Sequence, residues 1–193
     1  MKNNYSISEI IKTIYSLIMT KITYPKARLI RRPFYYRGKR NQLYAPKLTT
    51  GYNCRFDIEK VSGSVEFGSN CEIGDNVHIV AHGRLKIGDN FLCASKVFIS
   101  DVSHGEYKND NQSSPNEIPK DRKLIINEIS IGNNVWVGEN VVILSGVKLG
   151  NGVIIGANSV VTKSIADNTI AVGCPAKIIK QFNFSSNKWE MPI

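Results

Sequence analysis

Cysteine and histidine are few in this chain. Its 193 residues include four cysteines, three histidines and 9% aromatics. Cys54, Cys71, Cys93 and Cys174 form no CxxC pair and share no ligand spacing with histidine. That argues against a disulfide framework or a structural zinc site and for reduced thiols. No apolar run approaches the ~18 residues of a membrane-spanning helix. The apolar stretch near the start is bracketed by Lys12 and Lys21 and is followed by no small-residue cleavage pattern, so it does not read as a secretory signal. Acid is nearly missing from one end. Residues 1–47 carry eleven Lys/Arg against Glu9 alone, a net of +10, while the other 146 residues carry fourteen against fifteen, a net of −1. A neutral body argues against a nucleic-acid-binding surface, which needs basic residues where it reads the backbone. What is present, 42% apolar and 21% charged residues, is a globular composition the size of one domain.

The positive signal is a repeat. From Ile131 the chain reads IGNNVW, VGENVV, ILSGVK, LGNGVI, IGANSV, VTKSIA, with an aliphatic residue every six positions: Ile131, Val137, Ile143, Leu149, Ile155, Val161. A second small or β-branched residue follows four later: Val135, Val141, Val147, Val153, Ser159, Ile165. The same frame runs from Val61 as VSGSVE, FGSNCE, IGDNVH, IVAHGR, slips by two residues at Leu85–Lys86, and resumes at Ile87 as IGDNFL, CASKVF, ISDVSH, thirteen hexads in all. Cys71 and Cys93 fall in its apolar slots. A period of six fits neither a helix nor an alternating hairpin sheet. It fits a coil with three flat sides per turn, each side placing aliphatic residues inward and turning at Gly, Asn or Asp. Thirteen hexads make about four such coils, roughly 20 Å tall at the spacing of neighbouring strands.

Outside the repeat, residues 6–22 read as an amphipathic helix. Ser6 and Glu9 form a capping box, and Ile7, Ile10, Ile11, Ile14, Leu17 and Ile18 form an apolar face. Pro25 and Pro33 end it, and a basic stretch follows. This basic N-terminal arm, 1–60, reads in two ways: as a cap over the open end of the coil, or as a contact with an anionic membrane surface or a pyrophosphate-linked lipid carrier. Residues 105–130 lose the period, are polar and contain two prolines, so they leave the coil as a loop of a length that usually serves function. The coil domain spans 61–181, and 182–193 is a short tail.

The hexads, together with IGANSVVTKSI and AVGCPAKIIK near the end, resemble the hexapeptide-repeat acyltransferases. Among these the chain is most similar to bacterial O-acetyltransferases of lipopolysaccharide, O-antigen and capsule synthesis, with maltose and galactoside O-acetyltransferases as close relatives. RLIRRPFYYRG (28–38) and LTTGYNCRFDI (48–58) extend the likeness to the polysaccharide branch. The resemblance implies an all-β, left-handed parallel β-helix, acetyl-CoA as co-substrate, no metal, and homotrimers with the site between neighbouring prisms.

Residue by residue, the resemblance carries the catalytic base onto His104, which ends IGDNFLCASKVFISDVSH. An imidazole titrating near ~6.5 suits removal of a proton from a sugar hydroxyl. Asp101, Glu106 and Glu128 are candidates to orient it, with no basis for a choice among them. The glutamate of the maltose branch aligns on Leu124, and its sugar-binding asparagine near Gly74, next to Asn76. Both departures imply a different acceptor, for which Asn76, His82 and Asp101 are candidate contacts. His78 and His82 are too close in sequence, and in different hexad slots, for the zinc pattern of related carbonic anhydrases. Trp136 maps to the tryptophan that packs on pantetheine, with an oxyanion-binding amide near Gly138–Glu139. Main-chain groups at Ala157 and Thr162 would hold the pantetheine, and Lys163, Lys177 and Lys180 the phosphates. The expected activity is acetyl transfer to a sugar hydroxyl of a bacterial surface glycan or glycolipid, in the cytoplasm, and at the inner face of the membrane where the arm's second reading holds. Alternatives are an N-acetyltransferase on an amino-sugar nucleotide, and a β-helix protein that uses no coenzyme A, either a zinc hydratase or a scaffold.

Overall fold

The hexad slots close into a three-sided parallel β-solenoid in the computed structural model, which describes residues 5–108 and 110–191. The first four residues of the arm, position 109 of the loop and positions 192–193 of the tail lie outside the described residues. The first face stacks Leu29–Ile30, Thr49–Thr50, Glu72–Ile73, Leu92–Cys93, Trp136–Val137, Ile154–Ile155 and Thr169–Val172 in parallel. The second stacks Phe34–Arg37, Cys54–Ile58, His78–Ala81, Phe98–Ser100, Val142–Ile143 and Val160–Val161. The third stacks Leu43–Tyr44, Ser64–Phe67, Arg84–Ile87, Ile129–Ile131 and Lys148–Leu149, and a bridge from Leu149 to Ile165 adds the last coil.

The slots behave as the period requires. Ile131, Val137, Ile143, Leu149, Ile155 and Val161 are buried, as are Val135, Val141, Val147, Val153, Ser159 and Ile165. Each fully buried aliphatic side chain contributes about 1.5–3 kcal/mol relative to exposure. Corners turn through left-handed backbone at Asn53, Asn76, Lys96, Asn140 and Asn158 between the first and second faces, and at Asn70, Asn90, Asn134 and Asn168 between the third and first. Asparagine tolerates that conformation because its side chain bonds locally. Cys54, Cys71 and Cys93 are buried free thiols and Cys174 is exposed. Burial pushes the Cys54 thiol up to about 11, and those of Cys71 and Cys93 upward as well.

Four expectations need correction. The coil is about seven turns rather than four, because it begins at Leu29: most of the basic arm is solenoid, closed below by Tyr24, Phe34, Tyr36 and Phe56 packed ring to ring. Val61 is not an inward slot but is exposed, sitting in a corner where its amide donates to the Glu59 carboxylate. The loop leaves at Asp101, and the coil is already re-entered at Ile129. At the far end Lys177–Asn183 folds back antiparallel on Thr169–Val172, and Lys188–Glu190 pairs with it in turn, Trp189 packing against Phe182. The tail is therefore an added hairpin on the first face.

The helix α1, Ile7–Thr23, starts with the expected capping box: the Glu9 amide donates to Ser6 Oγ at 3.3 Å and the Ser6 amide to Glu9 Oε2 at 2.8 Å. It docks on the first coil through its polar side, where the Ile30 amide donates to Thr20. The buried residues are Ser16 and Thr20, and the apolar face is exposed.

Candidate functional site

Val102–His104 pairs antiparallel with Leu124–Ile126, so the excursion leaves the corner between the second and third faces as a hairpin. Gly105 turns the chain at φ +98°, a conformation that L side chains avoid. Tyr107 Oη donates to the His104 carbonyl at 2.7 Å, and Arg122 donates to Tyr107 Oη at 2.9 Å and to the carbonyls of Ser114 and Glu117. These bonds tie a long polar segment to the backbone of His104, whose imidazole is exposed. A cavity of about 400 Å³ lies beside it, lined in part by Ser103, Tyr107, Asn127, Leu144, Ser145 and Thr162; the His104 ring itself is outside that lining.

Asp101 is fully buried, its two carboxylate oxygens accepting from the amides of His82 at 2.8 Å and Gly83 at 2.7 Å. It fastens one coil to the next and has no exposed face for a substrate or for His104, which corrects both roles given to it. Glu106 accepts from the amides of Tyr107 and Lys108. Of the three carboxylates weighed as orienting groups, Glu128 is the one with no hydrogen bond among the described residues. Leu124 is the register partner of His104. The position to which the resemblance assigns the glutamate of the maltose branch is thus in space beside the histidine, and here it is apolar.

Asn76 is an exposed corner residue in the left-handed region, its amide donating to the Tyr52 carbonyl at 2.8 Å, so a turn explains it. His82 is half-buried at the corner that Asp101 fastens. His78 instead meets Asp57, Nε2 to Oδ2 at 3.0 Å, with Arg55 at 2.7 Å from the same oxygen and Arg37 3.6 Å from the other. Burial draws the Asp57 carboxyl upward, but hydrogen bonds from His78 and Arg55 outweigh it and hold the group below its ordinary value. Neither the period nor the charge count foretells this cluster, because Arg37, Arg55, Asp57 and His78 come together only through coil stacking. Among the described residues no group of three or more His, Cys, Asp or Glu could hold a metal ion.

Trp136 stands outward on the first face, 51% exposed. Its register column continues through Ile154 and Ile170 to Lys180, and the next column places Lys177 opposite Val172. Trp136 and the two lysines therefore share one outer surface, Lys180 about 14 Å from Trp136 at three strand spacings. Gly138, Glu139 and Ala157 form the corner at the edge of that surface. The Gly138 amide already donates to the Ile155 carbonyl at 2.8 Å, and a Cβ there would lie 2.6 Å from the Ala157 nitrogen, so coil stacking requires the glycine and removes it as an oxyanion donor. Among the described residues the amides of Glu139 and Ala157 meet no acceptor, and the Glu139 carboxylate points to Lys96 at 3.4 Å. Thr162 and Lys163 lie at the next corner, on the side of the His104 hairpin, up to about 16 Å along the strand from Ala157. The residues expected to hold the co-substrate are thus divided between two edges of one prism, with Trp136 on the first face and His104 at the corner between the second and third.

A protein-family model, "Bacterial transferase hexapeptide (six repeats)", matches residues 128–163. The Escherichia coli (strain K12) protein WbbJ, named as a candidate lipopolysaccharide biosynthesis O-acetyl transferase, is 40% identical over 191 residues, 98% of this chain and 97% of that one. A hexapeptide-repeat acetyltransferase of Vibrio cholerae solved with acetyl coenzyme A superposes with TM-score 0.60 at 25% identity, over 78% of this chain and 72% of its own. A galactoside acetyltransferase solved with coenzyme A does so with TM-score 0.58 at 27% identity, over 95% and 76%. This chain belongs to the hexapeptide-repeat transferases and is an acyltransferase.

The sequence did not foretell Tyr107 and Arg122, whose bonds shape the hairpin. Their polar, proline-bearing segment marked only that a loop was there.

Proposed function

We propose that the protein transfers acetyl from acetyl-CoA to a sugar hydroxyl of a bacterial surface polysaccharide or its glycolipid precursor. The observation that carries this reading is an exposed histidine held by its backbone at the mouth of an extruded hairpin, in a chain similar along almost its whole length to an O-acetyltransferase named for lipopolysaccharide biosynthesis. His104 takes the hydroxyl proton as the sugar oxygen attacks the thioester carbonyl. The C–S bond breaks, the thiolate of coenzyme A leaves and receives that proton, and the sugar keeps the acetyl group as an ester. The Glu139 amide is the donor available to the oxyanion at its corner. Trp136 offers a flat apolar face to the pantetheine arm, and Lys177 and Lys180 offer point charges to phosphate.

Because Trp136 and His104 stand on different sides of one prism, the complete site forms between copies, in a homotrimer in which one subunit's His104 meets the cofactor edge of its neighbour. The leucine at 124 fits an acceptor other than free maltose or galactosides. The enzyme works in the cytoplasm, where acetyl-CoA is made, and its net +10 arm suits the anionic inner face of a membrane.

A thermal-shift titration with acetyl-CoA, followed by transfer assays on wild type and His104→Ala, tests this. Ligand at a hundred times its dissociation constant adds roughly 2.7 kcal/mol of stability, about 5–10 °C for a chain of this size. The variant is expected to keep the shift and lose about 10²–10⁴-fold in kcat. A base-labile product identifies the ester. A base-stable one identifies an amide, and the absence of any shift removes the acetyl-CoA reading.

A further inference from the structure

Helix α1 is attached to the solenoid the wrong way round for a soluble cap. At 100° per residue, Thr13, Ser16, Thr20 and Thr23 share one side, and that side faces the coil. The Ile30 amide donates to Thr20 Oγ1 at 2.9 Å, the Arg32 amide to Ser16 Oγ at 3.3 Å, and the Arg32 guanidinium to Thr23 Oγ1 at 2.8 Å. The opposite arc of roughly 160° is almost wholly apolar: Ile7, 79% exposed, with Ile10, Ile11, Ile14, Tyr15, Leu17, Ile18 and Ile22. Lys21 is the single charge among them, and its long stem lets the ammonium reach past an apolar surface. A continuous apolar stripe of this length on a soluble surface marks an interaction site.

Charge selects the occupant. Residues 1–47 carry a net of +10, and among the described residues only Arg28 and Arg37 of this arm have a carboxylate within ion-pair distance. Facing two of these stripes together in a second copy would bring two +10 arms into contact. A bilayer with anionic headgroups neutralises the arm and takes up the isoleucines at once. We propose that α1 is an interfacial membrane anchor whose outward isoleucine stripe enters the headgroup–acyl boundary of an anionic bilayer, while Ser16 and Thr20 hold the helix to the solenoid. The inference rests on the membrane assignment of the basic arm and names the element that inserts. It also sets an orientation: the N-terminal coils lie against the lipid, and the solenoid rises from it.

The test is sedimentation of the full chain with phosphatidylglycerol/phosphatidylethanolamine vesicles and with phosphatidylcholine vesicles. Wild type is compared with Ile14→Ser/Ile18→Ser and with Lys39→Gln/Arg40→Gln, all checked for unchanged circular dichroism and unchanged acetyl-CoA thermal shift. Wild type is expected to bind the anionic vesicles, and the serine pair to lose at least about tenfold in partitioning at both low and high salt. The charge variant is expected to lose binding mainly at low salt. A serine pair that binds like wild type overturns the anchor and leaves the basic arm as the membrane contact. Failure of wild type to bind either vesicle overturns both. Concentration-dependent association that the serine pair abolishes, without vesicle binding, assigns the stripe to a second copy and overturns the anchor.

Discussion

Two corner columns of the same solenoid are built differently. Between the third and first faces, from Ser69 to Asn151, the second corner amide of each coil is closed by a side chain from the next coil. Ser69 donates to Asp89 at 2.6 Å, Asp89 to Asn133 at 2.8 Å, Asn133 to Asn151 at 2.9 Å and Asn151 to Asp167 at 3.1 Å. Between the first and second faces the pattern starts the same way, Tyr52 donating to Asp75 at 2.6 Å and Asp75 to Ser95 at 3.0 Å. It then stops. Glu139 turns its carboxylate to Lys96 and Ala157 has no side-chain acceptor, which leaves the Ser95 and Glu139 amides open, on the coils that carry Leu92 and Trp136. A ladder that can be completed with one oxygen per coil, and is complete on one edge, shows that the gaps on the other are not forced by the fold. The closed edge holds the coils together, and the open edge keeps donors available.

The sharpest way to break this contrast is to close the open edge. Ala157→Asp places a carboxylate where the neighbouring column uses one, over the Glu139 amide. Isothermal titration is expected to show acetyl-CoA bound at least about tenfold more weakly, a loss of about 1.4 kcal/mol, with melting temperature no lower than wild type. The converse is Asn133→Ala, which opens the closed edge at the Asp89 amide. Denaturant unfolding is expected to lose about 1 kcal/mol while acetyl-CoA affinity stays unchanged. The smallest effect concerns the Asp57 cluster on the second face, away from both edges. Its carboxyl lies below the ordinary 3.8 when folded. The stability it adds is therefore complete above that value and is lost as pH falls through the lower folded one. Thermal melts from about pH 5 downward should show Asp57→Asn less stable than wild type near pH 5, with the difference closing toward the acid end.

The solenoid was legible wherever the spacing stayed at six. From Phe67 to Val161 the slots named by the repeat are inward, interrupted by the excursion at Asp101. The first two coils escaped because their corners vary in length: residues 31–33 and 38–42 separate successive strands there, against four residues at 68–71 and 74–77, so Ile30, Leu43 and Leu48 are buried without a regular interval. The amphipathic helix was readable as a helix and its capping box as a start, but which face docks is decided by partners on another coil, here the Ile30 and Arg32 amides. The same limit explains Asp101. A carboxylate immediately before a strand and three residues before a histidine looks like an orienting group, and only stacking reveals the two amides of the preceding coil beneath it. Leu124 shows the opposite case, since an alignment position without a carboxylate proved to be the neighbour of His104.

The point at which the hairpin leaves the coil has a consequence for how such a protein changes over time. Val80 and Ser100 stay in register on one side of the exit, and Leu85 and Ile129 on the other, so the rungs close as if the intervening segment were absent. Closing a loop costs free energy that grows only with the logarithm of its length, about 0.6 kcal/mol for each doubling. Segments of very different length and chemistry can therefore be exchanged at this one corner with little penalty to the scaffold. On the proposed function, acceptor preference can drift quickly there, while the edge proposed to hold the acyl donor stays fixed by the geometry of its neighbours.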